Sequence, residues 1–343
     1  MAAPKTLPTR PLGRNGPLVP RLGLGLMGAS GIYGNSLSDT EKLEFLDAAY
    51  ERGERFWDTA DEYGDSEDIL GKWFVANPEK RQDIFLATKF GIQHTATRPG
   101  FTVNSTPEYC RTAIDSSLKR LGLPFVDLYY IHRLDKVTPV EKTMQAMVEL
   151  KEAGKIKYIG LSECSAESLR RAHTVNPITC VQVEYSLFCT EIESSQRRLL
   201  GTARELGVAI VCYSPLGNGI LTGSLRSQED ISKRGDLRVH LPWLHKENLE
   251  TNMVLIDEIA AFARAKRITM PQLALAWLLS QGDDIFPIPG SSKSQRMMEN
   301  LESVFISLSG EEEDHIRKLG EKVVGGRFQA ATGYAFADTP ALE

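Results

Sequence analysis

Short apolar runs take turns with longer stretches of helical period along this chain. That alternation restricts its fold more than any other feature. The strand-like runs are Arg21–Met27, Arg55–Asp58, Ile84–Lys89, Val126–His132, Ile156–Ser162, Cys180–Tyr185, Val208–Tyr213 and Ile285–Pro289, eight in all. Several, such as Asp83–Thr88 and Gly207–Tyr213, are apolar on both faces, as strands of a helix-covered parallel sheet are. Helical period marks Ser38–Arg52, where Ser38 and Glu41 have capping-box spacing, and Pro107–Leu121, with Thr106 as N-cap and Pro at the first helical position. It continues in Pro139–Ala153, with Gly154 as its stop, and in Ser165–Thr174, Ser194–Leu206, Met253–Lys266, Pro271–Gln281 and Gln295–Phe305. Eight strand–helix units predict an α/β fold of the closed (β/α)8 type, a TIM barrel, rather than an open doubly wound sheet.

The 343 residues exceed the roughly 250 of a plain barrel. The surplus falls in four places. Residues 10–22 contain Asn15-Gly16 and read as a hairpin closing the barrel bottom. Ser214–Asn252 is a long Gly-, Pro- and charge-rich loop after strand seven, the kind that serves as a lid or binding loop. Ser309–Lys322 reads as an extra helix, and residues 323–343 form an aromatic-bearing tail without periodicity. No linker divides the chain, so residues 1–343 read as a single domain.

With 40 basic and 45 acidic side chains the formal charge is −5, which gives no basis for nucleic-acid binding. No apolar run approaches a membrane span, and the opening residues lack the apolar region of a secretory signal. Five cysteines without C-x-x-C argue against a disulfide framework or a zinc site and for a cytoplasmic protein. Gly23-Leu-Gly-Leu-Met-Gly28 matches G-x-G-x-x-G, but Pro20 precedes it and a loop follows it. A dinucleotide fingerprint needs a strand before and a helix after.

The chemistry lies in the residues that end the strands. Strand two ends in Asp58, three in Lys89, four in His132, five in Ser162-Glu163, six between Gln182 and Tyr185, and seven in Tyr213-Ser214. In a barrel these ends converge on one mouth. Each residue alone has a structural explanation: Asp58 a turn cap, Lys89 a snorkelling amine, His132 a paired core imidazole. Together, an acid, an amine and an imidazole on consecutive strands suit proton transfer. Tyr63 lies five residues past Asp58. A nearby ammonium lowers a phenol's pKa, and Asp58 would keep Lys89 from being an unpaired buried cation. Tyr63 would then protonate a developing alkoxide, with a neutral His132 hydrogen-bonding the same oxygen. No side chain supplies hydride, so a nicotinamide or flavin cofactor is implied.

At these positions the chain resembles the aldo-keto reductase superfamily. The likeness runs from about Leu12 to Leu308, through Asp58-Thr-Ala-Asp-Glu-Tyr63-Gly64, Leu86-Ala-Thr-Lys89-Phe90-Gly91, Asp127-Leu-Tyr-Tyr-Ile-His132, Gly154-Lys-Ile-Lys-Tyr-Ile-Gly-Leu-Ser162, Val181-Gln182-Val-Glu-Tyr-Ser186, Tyr213-Ser-Pro-Leu-Gly217 and Pro287-Ile-Pro-Gly-Ser-Ser-Lys293. Finer features, His132-Arg133 with Asp135, Ser162-Glu163, Glu184-Tyr185-Ser186 and Ala337-Asp338-Thr339-Pro340, look like the plant and fungal branch that includes perakine reductase and pyridoxal-reductase-like enzymes. The resemblance implies NADP(H) lying across the barrel mouth and reduction of a small carbonyl compound. It makes Asp58, Tyr63, Lys89 and His132 a catalytic tetrad with Tyr63 as general acid. It makes Ser162 and Gln182 carboxamide contacts and Tyr213 the aromatic plate under the nicotinamide. Ser214, Leu216 and Gly217 look like pyrophosphate contacts, Ser291, Ser292, Lys293 and Arg296 like a 2′-phosphate clamp, and Asn300 like the adenine contact.

Two positions depart from the wider family. Glu163 stands where Asn is usual, so it can accept from the carboxamide amino group but cannot donate. Asn218 stands where many relatives carry a basic residue, which implies one fewer phosphate contact. Tyr33, Phe90, Phe101, Phe328, Tyr334 and Phe336 are candidate walls for an apolar or aromatic substrate. Two other functions fit parts of the pattern. One is a cofactor-binding regulatory subunit, by analogy with the potassium-channel β-subunits of the superfamily. The other is an unrelated barrel hydrolase or isomerase using Asp58, Glu62 and His132; no metal-ligand spacing accompanies it.

Overall fold

The computed structural model describes residues 6–30, 37–94, 101–227, 229–231, 236–327 and 333–342. Tyr33 and Phe328 lie outside them. The eight expected strands all form: β1 Leu24–Gly25, β2 Phe56–Asp58, β3 Phe85–Phe90, β4 Val126–Ile131, β5 Ile156–Ser162, β6 Cys180–Glu184, β7 Ala209–Tyr213 and β8 Ile285–Pro287. They make one parallel sheet in sequence order. The ends of the sheet meet: Gly23 N–H donates to Pro287 O at 2.9 Å, Gly25 N–H to Pro289 O at 3.4 Å, and Gly25 bridges Gly290 in parallel. The sheet is thus a closed barrel. The Gly23-to-Gly28 run has its explanation here, because a Cβ on Gly25 would lie 2.7 Å from the Ile288 carbonyl oxygen.

Alternation along each strand makes two cores. Inward residues Phe56, Ala87, Leu128, Tyr130, Cys180, Ala209, Val211 and Phe286 fill the barrel, capped below by Leu12 and Val19. Those two belong to the expected hairpin, Thr9–Pro11 paired antiparallel with Leu18–Pro20, and Asn15 takes the left-handed conformation at its turn. Outward residues such as Leu86, Phe90, Tyr129 and Ile131 pack under the helices.

The helices are α1 Asp39–Glu51, α2 Ser66–Ala76, α3 Pro107–Leu121, α4 Val140–Glu152, α5 Ala166–Val175, α6 Leu199–Leu206, α7 Lys246–Ala265, α8 Met270–Ser280, α9 Ser294–Glu302 and α10 Gly310–Gly320. The Ser38 capping box and the Thr106 N-cap form as expected, and Ser165 caps α5 as well. Beside an antiparallel strand pair that the sequence reading lacks, Ile92–His94 with Phe101–Val103, three helices differ most from it. α2 has no expected counterpart: Asp65 makes no side-chain cap, and Gly71 interrupts the apolar pattern. Gly71 is there for packing, since a Cβ would sit 2.3 Å from the Arg120 carbonyl oxygen of α3. α6 starts at Leu199 rather than Ser194, because Arg198 is left-handed and Glu193 is held by Tyr185 and Arg317. α7 starts at Lys246, which shortens the loop after β7 to residues 214–245.

Residues 333–342 pack beside the end of β5. Ala337 pairs with Cys164, and Asp338 accepts from Ser165 and Ser168. Among the described residues no helix is long and apolar enough to cross a membrane.

Candidate active site

A cavity of about 580 Å³ opens at the carboxyl ends of the strands. Asp58 ends β2, and Lys89 stands two residues beyond the partner of Asp58 on β3, so both point into the barrel. Lys89 Nζ donates to Asp58 Oδ1 at 2.6 Å and to Thr59 O at 2.7 Å; Gln182 Nε2 donates to Asp58 Oδ2 at 2.8 Å. The ion pair is fully buried. Burial raises the Asp58 carboxyl above its ordinary value against the pull of Lys89.

Tyr63 comes from the loop between β2 and α2. That loop is fastened from outside by Arg120 of α3, which donates to Asp61 O at 2.9 Å and also to Gly64 O. The Tyr63 hydroxyl lies 3.4 Å from Lys89 Nζ, and its ring meets His132 edge-on at 5.8 Å between centroids. The expected acidification of this phenol by Lys89 is not what the site produces. Burial, and then the Asp58 carboxylate, push Tyr63 well above 10. Lys89 is spent on Asp58, so Tyr63 rests as a phenol and keeps the proton a general acid needs. Burial, reinforced by Arg133 and Lys89, holds the His132 imidazole well below 6.5 and therefore neutral. Its Nδ1 is buried without a partner.

The remaining candidates divide. Asp58, Tyr63, His132, Gln182, Tyr213, Ser214, Leu216, Ser291, Ser292, Arg296, Asn300 and Phe101 line the cavity. The loop after β7 coils through left-handed residues Ser214, Gly217, Asn218 and Gly219; Gly217 shapes that turn without itself lining the space. Lys293 stands at the N-cap position of α9, exposed, outside the cavity lining and without a side-chain cap, its backbone N–H donating to Ser291 Oγ. Ser162 Oγ accepts from Arg133 at 3.0 Å. Tyr334 sits behind Phe101 at 5.9 Å between ring centroids. Phe90 is a correction: the alternation that turns Lys89 inward turns Phe90 outward, where it stacks on Tyr129 at 5.0 Å in the helix layer. Phe336 is buried against Arg197 and Arg327.

Glu163 and Asn218 have partners that their sequence positions do not disclose. Glu163 Oε1 accepts from Arg327 Nη2 at 2.6 Å, the Tyr213 hydroxyl at 2.9 Å and the Glu184 N–H at 3.1 Å; Oε2 is buried and unpartnered. Burial pushes this carboxyl up, but Arg327 and Arg133 outweigh it and hold it below the usual range. Asn218 ties Ser214 to Glu184 at 3.0 and 3.5 Å. A cation does reach this wall from the same loop: Arg238, paired with Asp236.

These residues fit a nicotinamide dinucleotide. His132 lines the cavity with its Nδ1 unpartnered, while Glu163, wholly buried, stands behind the Tyr213 ring and does not line it. Ser291, Ser292 and Arg296 gather at the start of α9, where helix geometry favours a phosphate. A likeness to known proteins accords with this. The Aldo/keto reductase family model matches residues 21–321. Aldo-keto reductase yakc of Schizosaccharomyces pombe, whose name specifies NADP(+), is 43% identical over 98% of this chain and 99% of its own. Aldo-keto reductase str7 of Strobilurus tenacellus is also 43% identical over the same shares, and probable aldo-keto reductase 1 of Glycine max is 38% identical over 96% and 95%. Among solved structures, a glycerol dehydrogenase of Gluconobacter oxydans superposes with TM-score 0.80 at 26% identity, over 91% of this chain and 94% of its own. A thermostable aldo-keto reductase bound to epalrestat gives TM-score 0.72 at 30% identity, over 91% and 100%. With family match, near full-length relatives and barrel geometry in agreement, the chain belongs to the aldo/keto reductase family.

Proposed function

We propose that this chain reduces an aldehyde or ketone to an alcohol with NADPH, Tyr63 giving the proton. One observation carries the reading: a buried phenol, a neutral imidazole and a lysine already paired with an aspartate stand together at the base of one cavity. The cofactor supplies hydride when bound. Tyr213, Gln182, Ser162 and Glu163 hold its nicotinamide end; Ser214, Leu216 and Gly217 meet the pyrophosphate; Ser291, Ser292, Lys293 and Arg296 clamp the 2′-phosphate, with Asn300 at the adenine.

The proton comes from the Tyr63 hydroxyl to the carbonyl oxygen as charge develops there. His132, being neutral, steadies that oxygen by a hydrogen bond without competing for the proton. Lys89 faces the phenolate left behind, and Asp58 keeps the ammonium in place. Met27, Ile92 and Phe101 give the substrate end of the cavity an apolar wall, which suits a carbonyl compound with an apolar or aromatic body. The loop over 214–245, rather than the 214–252 expected from the sequence, is the cofactor cover and the tail over 323–343 the substrate loop, within a single barrel domain over 1–343. Five free, buried cysteines accord with a reducing cytoplasm.

The test is NADPH oxidation against a panel of aldehydes, ketones and quinones, with NADH beside it. Turnover with NADPH is expected, and Tyr63→Phe should lower it by roughly 10²–10⁴-fold with NADPH binding kept. Undiminished turnover in Tyr63→Phe refutes the assignment. Binding of NADPH without turnover on any substrate would return the regulatory-subunit reading.

A further inference from the structure

Arg327 lies in the C-terminal segment, far along the chain from β5, β6 and β7, yet its side chain is 1% exposed and packs against the ends of those strands. Its Nη2 reaches Glu163 Oε1 at 2.6 Å and the Tyr213 oxygen at 3.0 Å, and its Nε reaches Glu184 Oε2 at 3.0 Å. The Tyr213 hydroxyl in turn donates to Glu163 at 2.9 Å. One guanidinium therefore joins the ends of β5, β6 and β7, and it does so at the hydroxyl that sets the tilt of the Tyr213 ring. Glu163 needs such support. Its backbone is left-handed, φ 52°, and its carboxylate is wholly buried beside a second carboxylate. Two buried carboxylates without a cation between them would repel and lose their hydrogen bonds. The same tail also grips Glu163 from the backbone, where Ala337 N–H donates to its carbonyl at 2.7 Å.

We propose that Arg327 is a positioning residue for the aromatic floor of the site: by fixing Glu163 and the Tyr213 hydroxyl together, it sets the plane on which the nicotinamide rests. This rests on the reading of Tyr213 as that floor. A planar fork with several donors can satisfy two carboxylates and a phenol oxygen at once, which an ammonium cannot.

The test is titration of the full chain with NADPH, followed by quenching of intrinsic fluorescence, together with single-turnover hydride transfer and thermal melting. Arg327→Met should raise the NADPH Kd about tenfold and Arg327→Lys about threefold, with slower hydride transfer in both. Adding Tyr213→Phe to Arg327→Met should change Kd less than about twofold further, because both act through one hydroxyl. Arg327→Lys keeps the buried charge, so it carries the test if Arg327→Met does not fold. Lowered melting with wild-type Kd and hydride transfer in the Lys and Met variants would make Arg327 a structural tie only and overturn the proposal. Tyr213→Ala separates the two levels. If it leaves Kd unchanged, the floor reading itself fails; if it weakens NADPH while neither Arg327 variant does, only the role of Arg327 fails.

Discussion

The Lys89–Asp58 pair can be taken apart so that its stability role and its chemical role move in different directions. At 2.6 Å and an effective dielectric of about 20, Coulomb's law gives roughly 6 kcal/mol of attraction, much of it offset by desolvation. Lys89→Met leaves Asp58 buried with only Gln182 as a side-chain partner, and an uncompensated buried charge costs about 3–5 kcal/mol. For a chain of this size that corresponds to a fall in melting temperature of about 6–10 °C, at roughly 2 °C per kcal/mol. Asp58→Asn alone strands the ammonium and should cost a similar amount. The double variant Asp58→Asn/Lys89→Met removes both charges, while the new amide oxygen still offers Gln182 an acceptor, so most of the melting temperature should return. Turnover should stay low in all three, since the ammonium opposite the Tyr63 phenolate is gone or unanchored. Melting curves and NADPH oxidation on the same preparations decide it. A double variant that melts as low as Lys89→Met, or a Lys89→Met that melts like the wild type, would refute the buried-pair reasoning.

Two further predictions concern charge elsewhere. Arg296→Ala should raise the Kd for NADPH by about tenfold and leave NADH nearly unchanged, read by parallel titrations; equal losses would place Arg296 away from the 2′-phosphate. Glu54 is 1% exposed, accepts from Phe56 N–H at 2.8 Å and has an unpartnered Oε2. Burial pushes its pKa up to about 8, above the ordinary value of about 4.3. The folded chain thus keeps a proton that the unfolded chain has lost, so stability from this group is complete below about pH 4 and drains away as pH rises to about 8. Glu54→Gln should flatten the wild-type decline by on the order of a few kcal/mol, measured as melting temperature at pH 5, 7 and 9; an unchanged slope would remove Glu54 as its source.

Much of the site is legible in the sequence because a barrel turns strand order into spatial convergence. Asp58, Lys89, His132, Ser162, Gln182 and Tyr213 lie at or near the carboxyl ends of strands two to seven in turn, and one topological statement brings them together. Phe90 is misplaced by the sequence reading although the signal is present: if Lys89 faces in, its neighbour faces out. Arg327, Glu184 and Arg133 are not legible as site residues. Arg327 pairs with partners more than a hundred residues away, and nothing in a periodicity marks which exposed-looking arginine in a tail will be drawn into the core. The unexpected α2 has a similar cause. Its glycine looks like a breaker in one dimension and is a close-contact point in three. The phenol of Tyr63 shows the limit for electrostatics: spacing brings a lysine near it, but only the geometry shows that Asp58 claims the lysine first.

The seam between β1 and β8 has a consequence for how the molecule comes into being. It joins Gly23 to Pro287 and Gly25 to Gly290, partners from opposite ends of the barrel sequence, whereas every other strand pair joins neighbours along the chain. Contacts of such separation carry the largest loop-closure cost. The ring is therefore shut by its sparsest ladder, at the highest loop-closure cost of any strand pair. Gly25 and Gly290, where it shuts, are also walls of the cavity. The binding cleft does not exist as a cleft until that stitch is made, so an arrested or truncated chain would present its catalytic strands without a pocket to use them in.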